Sequence, residues 1–248
     1  MEFRQLLPEP ATVDEADLLG RLGQDAVAPA DRPFTVANFV MSADGRATID
    51  GRSGGLGDDG DRAIFHCLRE QVDAVLVGTG TLRAERYGRV LGKVERRQRR
   101  LERGRSAEPL LVTVTRSGYI PTDIPLFAEP EARIVVFSPA TPDVADCAAQ
   151  IEEVSLDPRE LTFATVMRHL RNLHGVRTVL CEGGPTIFGA LLQEDLVDEL
   201  FLTLAPKLAG GGRGPTISSG PQLADPAQLR LVWLLGGPDS LYLRYALH

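Results

Sequence analysis

The sequence predicts an α/β fold with a mainly parallel central sheet, antiparallel strands near the C-terminus and helices on both faces. Apolar, β-branched runs such as 34–41 and 74–79 alternate with helical patterns such as 59–71, which is typical of β-α-β units. Two final apolar runs, 229–235 and 241–247, follow one another as in a closing hairpin. The composition, 43% hydrophobic and 25% charged, is ordinary for a globular protein.

The first 32 residues are interpreted as an N-terminal arm. They contain Pro8, Pro10 and Pro29, and one acidic stretch, Asp14 to Leu22, in which a single helix is predicted. Residues 33–248 show no internal repeat and no domain boundary, so they are predicted to form one domain.

Within that domain, each strand is predicted from a short run of β-branched and apolar residues. The helix at 59–71 is indicated by an apolar stripe of Ala63, Ile64, Cys67 and Leu68. A later helix begins at Pro185, because the fixed φ of proline suits a first helical turn. The further predicted elements are strands at 110–115, 133–138, 176–181 and 197–205 and a helix at 164–173.

Six arginines lie between Arg96 and Arg105, interleaved with Glu95 and Glu102. This pattern favours a solvated helix or loop face. RNA binding is a weaker alternative, because the stretch lacks aromatic residues on which bases stack.

Charge and cysteine content limit the function classes. The net charge of −7 argues against nucleic-acid binding. No apolar run has the length of a signal peptide or membrane span, so we expect no membrane partner and a cytoplasmic location. The three cysteines lack metal-type spacing, which fits a reducing compartment and predicts no metal site.

Three glycine-bearing junctions follow predicted strands. Glycine lets backbone amides approach a pyrophosphate, and a helix N-terminus adds positive potential. Each junction alone is also compatible with a plain turn, but three at strand ends favour a nucleotide-like ligand. They are Val77-Gly78-Thr79-Gly80-Thr81, Thr115-Arg116-Ser117-Gly118 and Glu182-Gly183-Gly184-Pro185-Thr186.

Arg116 is the candidate for contacting the 2′-phosphate of an adenosine, since a guanidinium matches phosphate oxygens in geometry and charge. The alternative is an exposed loop arginine. No histidine, serine or cysteine constellation indicates a catalytic residue, so the catalytic residues stay unassigned.

Taken in order, the motifs of this chain resemble those of the riboflavin-pathway pyrimidine reductases, the RibD C-terminal family. The resemblance runs from about Phe34 to the C-terminus. The matching segments are Ser42-Ala43-Asp44-Gly45, Leu68-Arg69, Asp73-Ala74-Val75-Leu76-Val77-Gly78-Thr79-Gly80-Thr81, Glu182-Gly183-Gly184-Pro185, Leu196-Val197-Asp198-Glu199-Leu200 and Ala205-Pro206.

The resemblance implies a dihydrofolate-reductase-like fold, so that 33–248 would be a reductase domain. It further implies NADPH as cofactor, a homodimer, and hydride transfer to the ribosyl C1 of a phosphorylated aminopyrimidine. Positions carried over as substrate-binding are Ser53, Arg69 and Glu182. Cofactor-binding positions, including those from the glycine junctions, are Val40, Gly55, Val77, Gly78, Gly80, Thr81, Glu85, Thr115, Arg116, Gly183, Gly184, Pro185 and Thr186.

Two of the substrate positions have alternative readings. Arg69 is suited to a substrate phosphate, and the less favoured alternative is a solvent-facing helix residue paired with Asp73. Glu182 is suited to accept hydrogen bonds from a pyrimidine or ribose, but a carboxylate there could also cap the next helix.

The chain also departs from the family pattern. The His-x-Glu and Pro-Cys-x-x-Cys motifs of zinc deaminases do not occur, so no deamination is expected. In the segment Leu82 to Arg89, Glu85 can stand in for the first acid, but the usual proline is missing. Two alternatives therefore accompany the pyrimidine reductase: a dihydrofolate reductase activity and a non-catalytic NADPH-binding regulatory protein.

Overall fold

The computed structural model describes residues 1–22, 28–144, 147–210 and 214–247. Those residues form one sheet of eleven strands together with six α-helices. The strands are β1 (Glu2–Leu7), β2 (Ala11–Asp14), β3 (Phe34–Ser42), β4 (Ala74–Leu76), β5 (Leu110–Val114), β6 (Arg133–Ser138), β7 (Gln150–Ser155), β8 (Thr178–Cys181), β9 (Glu199–Ala205), β10 (Leu229–Gly236) and β11 (Leu241–Leu247). The helices are α1 (Glu15–Leu22), α2 (Asp59–Gln71), α3 (Thr79–Glu85), α4 (Val94–Glu102), α5 (Phe163–Leu173) and α6 (Pro185–Gln193).

The strand order across the sheet is β2-β1-β10-β11-β9-β3-β8-β4-β5-β6-β7. From β9 to β7 all neighbours are parallel, whereas β9, β11, β10, β1 and β2 pair antiparallel. The predicted α/β class, with a mainly parallel sheet and an antiparallel C-terminal hairpin, is confirmed.

The core lies on both faces of this sheet. Alternate side chains of β4 and the residue after it point to opposite faces, as the strand repeat requires: Val75 and Val77 join one apolar cluster, and Leu76 joins the other. Helix α2 packs Ile64 into the first cluster, and α5 packs Leu170 into the second. Helices therefore cover both faces, as predicted. None of the helices in the described ranges has both the length and the apolar character needed to cross a bilayer.

The N-terminal segment corrects one prediction. Residues 1–14 were expected to be part of an arm, but β1 pairs antiparallel with β10 and β2 extends the sheet beyond it. Phe3 and Val13 are buried, and the ring of Phe3 meets the edge of Tyr242 at 5.4 Å between centroids. Burial of these side chains fixes the segment to the sheet. The predicted helix in the acidic stretch is present as α1.

The arginine-rich stretch corrects a second prediction. It forms α4, but two of its arginines are not solvated: Arg96 is 5% exposed and Arg100 is 1% exposed. Arg96 and Arg99 both donate to the carboxylate of Glu70 on α2, at 2.7 to 2.9 Å. Arg100 donates to the backbone oxygens of Glu70 and Val72. A carboxylate buried in α2 requires cationic partners, which α4 supplies.

Two further elements were not predicted. Strand β7 lies at the edge of the sheet, and the mostly polar Gln150–Ser155 gave no apolar run to detect. Helix α3 begins inside the first glycine junction, so the predicted strand 74–79 is shorter in the structure and ends at Leu76.

Candidate active site

A cleft opens at the carboxyl ends of four neighbouring strands, β3, β8, β4 and β5, where ligands bind in open α/β sheets. All three predicted glycine junctions lie here, because they directly follow β4, β5 and β8. The backbone N–H of Gly78 donates to the carbonyl of Gly183 at 2.8 Å. A Cβ at Gly184 would lie only 2.9 Å from Oγ1 of Thr81. Glycine thus permits two of the junctions to touch.

The first cavity of this cleft has a volume of about 360 Å³. It is lined by Val40 from β3, by Thr81 and Glu85 from α3, and by two predicted substrate residues, Ser53 and Glu182. The structure therefore brings predicted cofactor and predicted substrate positions to one space. Apolar walls come from Phe39 and Phe65, and cations at its rim are Arg62 and Arg86.

Arg69 and Glu182 form a buried, two-pronged ion pair beside the first cavity. Nε and Nη2 of Arg69 each donate to one carboxylate oxygen of Glu182, both at 2.6 Å. The hydroxyl of Tyr87 donates to the same carboxylate at 2.7 Å. Nη1 of Arg69 donates to the carbonyl of Val90, and its guanidinium lies over the ring of Phe65. Two residues 113 positions apart in sequence thus act as one unit.

This pairing changes the reading of both residues. Arg69 is 7% exposed, so it is not a solvent-facing partner of Asp73; Asp73 instead accepts hydrogen bonds from Arg177 and Thr178. Burial alone would lower the pKa of Arg69, but the charge of Glu182 outweighs it and the pKa is raised. Burial and then the charge of Glu182 raise the pKa of Tyr87. The guanidinium of Arg69 therefore stays charged, and the phenol of Tyr87 keeps its proton.

Sequence reasoning missed Tyr87 and Asp61. Tyr87 lies in the segment where the family pattern is broken, so no motif assigned it a partner. Asp61 lines the first cavity from the first turn of α2, and burial, together with the nearby charge of Asp58, raises its pKa. Its only signal in the sequence is an acidic residue near a helix start, which is common without any functional role.

Glu85 and Ser53 are joined directly. The carboxylate of Glu85 accepts from both the backbone N–H and the hydroxyl of Ser53, at 2.7 and 2.9 Å. The glycine-rich loop carrying Ser53 is thereby tied to α3. Next to it, the carbonyl of Gly55 accepts from Nζ of Lys207.

A second cavity of about 250 Å³ lies on the other side of the α6 N-terminus. Arg116, from the loop after β5, and Thr186, from the first turn of α6, line it together with Ile187, Phe163 and Leu161. Arg116 forms no ion pair with any described residue. This cavity combines an apolar floor with one cation, which suits an adenosine carrying a phosphate.

The remaining predicted cofactor positions differ in which of their atoms could contact a ligand. Pro185 is the first residue of α6, and the N-cap residue Gly184 has no side chain to cap the helix. The backbone N–H groups of the first turn are therefore free to donate to a ligand at the end of α6 that borders the cleft. Gly80 is exposed in α3. Val77 is fully buried in the core, and Thr115 is 6% exposed beside Ser117. Side-chain contact with a ligand is therefore unavailable to Val77.

The pattern of the RibD C-terminal domain matches residues 33–237 of this chain. The chain belongs to the RibD C-terminal domain family. This confirms the resemblance drawn from the ordered motifs. The chain's relatives that are named reductases show it to be an oxidoreductase.

Relatives of this family member cover most of its length. A protein of Archaeoglobus fulgidus named 2,5-diamino-6-ribosylamino-4(3H)-pyrimidinone 5′-phosphate reductase is 26% identical over 217 residues, which is 86% of this chain and 99% of that protein. The riboflavin biosynthesis protein RibD of Mycobacterium tuberculosis is 32% identical over 182 residues, 72% of this chain but 44% of that protein. The chain thus spans less than half of this longer relative.

Solved structures show the same fold. A pyrimidine reductase-like protein of Corynebacterium diphtheriae superposes with a TM-score of 0.75 at 25% identity, covering 93% of this chain and 98% of that one. The riboflavin biosynthesis reductase Rib7 of Saccharomyces cerevisiae superposes with a TM-score of 0.68 at 19% identity, covering 94% and 97%. The names of these proteins support neither the dihydrofolate reductase nor the regulatory alternative.

Proposed function

We propose that this protein is an NADPH-dependent reductase of riboflavin biosynthesis that acts on a substrate of the 5-amino-6-(5-phosphoribosylamino)uracil type. The observation that carries the proposal is the convergence of the motif residues on one cleft. Positions as distant as Val40, Thr81 and Glu182 line one cavity, and Arg116 and Thr186 line the next.

The residues present fit a dinucleotide with a 2′-phosphate. The uncapped first turn of α6 offers backbone N–H groups to a pyrophosphate. Arg116, which forms no ion pair within the described ranges, offers its guanidinium in the second cavity, where the adenosine would lie. The nicotinamide would then reach Val40 and Thr81 in the first cavity, next to the substrate positions.

When bound, NADPH supplies a hydride from the nicotinamide C4 to the sugar C1 in its open carbonyl or imine form. The chain's own residues position the two partners and exclude water. Phe39 and Phe65 supply apolar walls. At the base of the cleft, Gly78, Gly183 and Gly184 let the two glycine-bearing loops approach each other closely.

Within this proposal, Arg69 and Glu182 contact the substrate as a neutral unit. Their charges compensate each other, and two of the Arg69 nitrogens already donate hydrogen bonds to Glu182. A phosphate dianion is better matched by Arg62 and Arg86, which line the rim of the same cavity. Their ion pairs with described residues are to exposed carboxylates. Glu182 retains lone pairs that can accept from the pyrimidine or ribose.

Asp61 is proposed as the proton donor that completes the reduction. It lines the first cavity, and burial keeps its carboxyl protonated to a higher pH than an exposed aspartate. The proton would pass from its carboxyl oxygen to the oxygen or nitrogen that receives negative charge as hydride adds to C1.

The proposed activity is tested by following NADPH oxidation spectrophotometrically with purified protein. The substrates are 5-amino-6-(5-phosphoribosylamino)uracil, its 2,5-diaminopyrimidinone counterpart and dihydrofolate. Turnover with at least one of the pyrimidines and none with dihydrofolate is expected. Turnover with dihydrofolate alone would sink the proposal, as would calorimetric NADPH binding without oxidation by any of the three.

The family resemblance also supports a homodimer in the cytoplasm, and we propose both. Light scattering of the purified chain should give twice the chain mass of 26.9 kDa. A mass of one chain across the working concentration range would contradict the dimer. Fractionation of cells that produce the protein checks its location.

A further inference from the structure

A cluster of two histidines and a glutamate lies away from the cleft, at the far end of α5. It consists of Glu152 on the edge strand β7, His169 in the last turns of α5 and His174 directly after that helix. One side-chain ligand atom from each residue lies within 4.8 Å of the other two. Phe163 and Val166 are the α5 residues that line the second cavity, and His174 lies roughly 12 Å beyond Val166 at about 1.5 Å of rise per residue.

The two imidazoles have unmet bonding capacity. Nε2 of His169 and Nε2 of His174 are both shielded from solvent, and neither has a hydrogen-bond partner among the residues that the structure describes. Nε2 of His174 lies 3.4 Å from Oε1 of Glu152, without the geometry of a hydrogen bond. Buried polar atoms are nearly always bonded, so two orphans side by side indicate a missing shared partner.

Aromatic contacts surround the two imidazoles. The two rings lie 5.5 Å apart between centroids, and the ring of Phe137 packs against His169 at 5.1 Å. These contacts pack both rings beside each other, with one ring nitrogen of each within 4.8 Å of a carboxylate oxygen of Glu152.

We propose that Glu152, His169 and His174 form a binding site for a divalent transition-metal ion such as Zn²⁺. Two imidazole nitrogens and one carboxylate oxygen are a donor set that Zn²⁺ accepts, with water as the fourth ligand. Mg²⁺ and Ca²⁺ prefer all-oxygen sites and should bind far more weakly. The side chain of Glu152 is 54% exposed, so an ion can enter from solvent and the carboxylate can close on it.

Such an ion would clamp the edge of the sheet. Among the described residues, strand β7 has one strand neighbour, β6, and its Glu152 and Glu153 are exposed. Coordination through Glu152 would join β7 to the end of α5. The role expected from this geometry is structural, since none of the three residues lines either cavity.

The site is tested by calorimetric titration of chelator-treated protein with Zn²⁺ and, in parallel, with Co²⁺, whose visible absorption reports coordination by nitrogen. One ion per chain is expected, with a rise in melting temperature. His169→Gln and His174→Gln should each weaken binding at least tenfold, and Glu152→Gln should weaken it severalfold. His66→Gln, at a half-buried histidine outside the cluster, should leave the affinity unchanged.

Circular dichroism and NADPH oxidation, both measured in the presence of chelator, show whether each variant is folded. NADPH oxidation is a suitable control because none of the cluster residues lies in the cleft. If a histidine variant fails to fold, the test uses Glu152→Gln instead, because that side chain is half-exposed. The Co²⁺ spectrum of this variant should then differ from that of the unchanged protein. Absence of stoichiometric binding, or binding that survives both His174→Gln and Glu152→Gln, would overturn the proposal. Equal affinity for Mg²⁺ would overturn its choice of ion.

Discussion

Arg69 and Glu182 illustrate how much depends on single residues in this protein. Each would be costly to bury alone, and each is tolerated because the other neutralises it and Tyr87 and Val90 satisfy further bonds. The pair links α2 to the loop after β8, so the wall of the first cavity is fixed before any ligand arrives. Preorganisation of this kind favours catalysis.

Glu182→Gln should lower the free energy of unfolding by about 3–5 kcal/mol, because it leaves the guanidinium of Arg69 buried without its counter-charge. Urea denaturation measures the loss. The double variant Arg69→Met/Glu182→Gln should regain part of it. As a matched control, Asp59→Asn breaks the exposed ion pair with Arg62 and should cost much less. Equal losses of stability in Glu182→Gln and Asp59→Asn would show that the buried ion pair contributes no more to folding than the exposed one.

Asp61→Asn should reduce kcat with little change in the KM for NADPH, because the proposed proton donor is removed while the cofactor contacts remain. In the unchanged protein, activity should fall as pH rises through the raised pKa of Asp61, since the protonated form is lost there. The variant should lack that limb of the pH profile. A profile that keeps it would assign the limb to another group. Asp59→Asn serves again as the control.

Arg116→Ala should weaken NADPH binding by roughly tenfold to a hundredfold, the worth of a charge-assisted contact of about 1.5–3 kcal/mol. NADH lacks the 2′-phosphate, so its binding should change little. Calorimetry with both cofactors measures the difference. Arg168→Ala, on the exposed side of α5, is the matched control. Equal weakening of NADPH and NADH would remove Arg116 from the 2′-phosphate role.

At the scale of elements, α2 and α4 are held together by charge as much as by apolar packing. Glu70 of α2 is buried, and it accepts from Arg96 and Arg99 of α4. Burial would raise the pKa of Glu70, but Arg99 and then Arg96 outweigh it, so the pKa is lowered. The contribution of this carboxylate to stability is present above its unfolded pKa and is lost as pH falls through the lowered folded pKa.

Glu70→Gln should therefore lower stability by about 3–5 kcal/mol at neutral pH, because Arg96 would remain buried without a full counter-charge. The loss should shrink at acid pH, where the glutamate of the unchanged protein is itself protonated. Unfolding curves at several pH values test both statements. Glu95→Gln, at an exposed position of α4, should have little effect at any pH. A pH-independent loss would point to packing rather than charge.

On the scale of the whole molecule, the sheet is longer than the family pattern alone requires, because β1 and β2 extend it beyond β10. Without them the β10 edge would be open, and an open apolar edge invites association. Phe3 fastens this extension, since it packs on Tyr242 and lies against Gly60 at the start of α2.

Phe3→Ala should cost about 3–5 kcal/mol, as expected for truncating a fully buried aromatic side chain. Leu7→Ala, in the same strand but at a position 43% exposed, should cost far less. Chemical denaturation measures both, and size-exclusion chromatography shows whether the Phe3 variant associates. Equal and small losses would mean that β1 is dispensable.

Apart from β7 and α3, the sequence by itself determined the alternation of strands and helices from Phe34 to Ala205, because strand and helix repeats are local patterns. It also determined the three glycine junctions and, through their order, the family and the general place of the cleft. Only the tertiary structure decided that β1 pairs with β10, that Arg96 and Arg100 are buried, and that Arg69 forms an ion pair with Glu182. Each of these depends on a partner far away in the chain, and a residue's solvation is set by what packs against it. Local pattern carries no information about that partner.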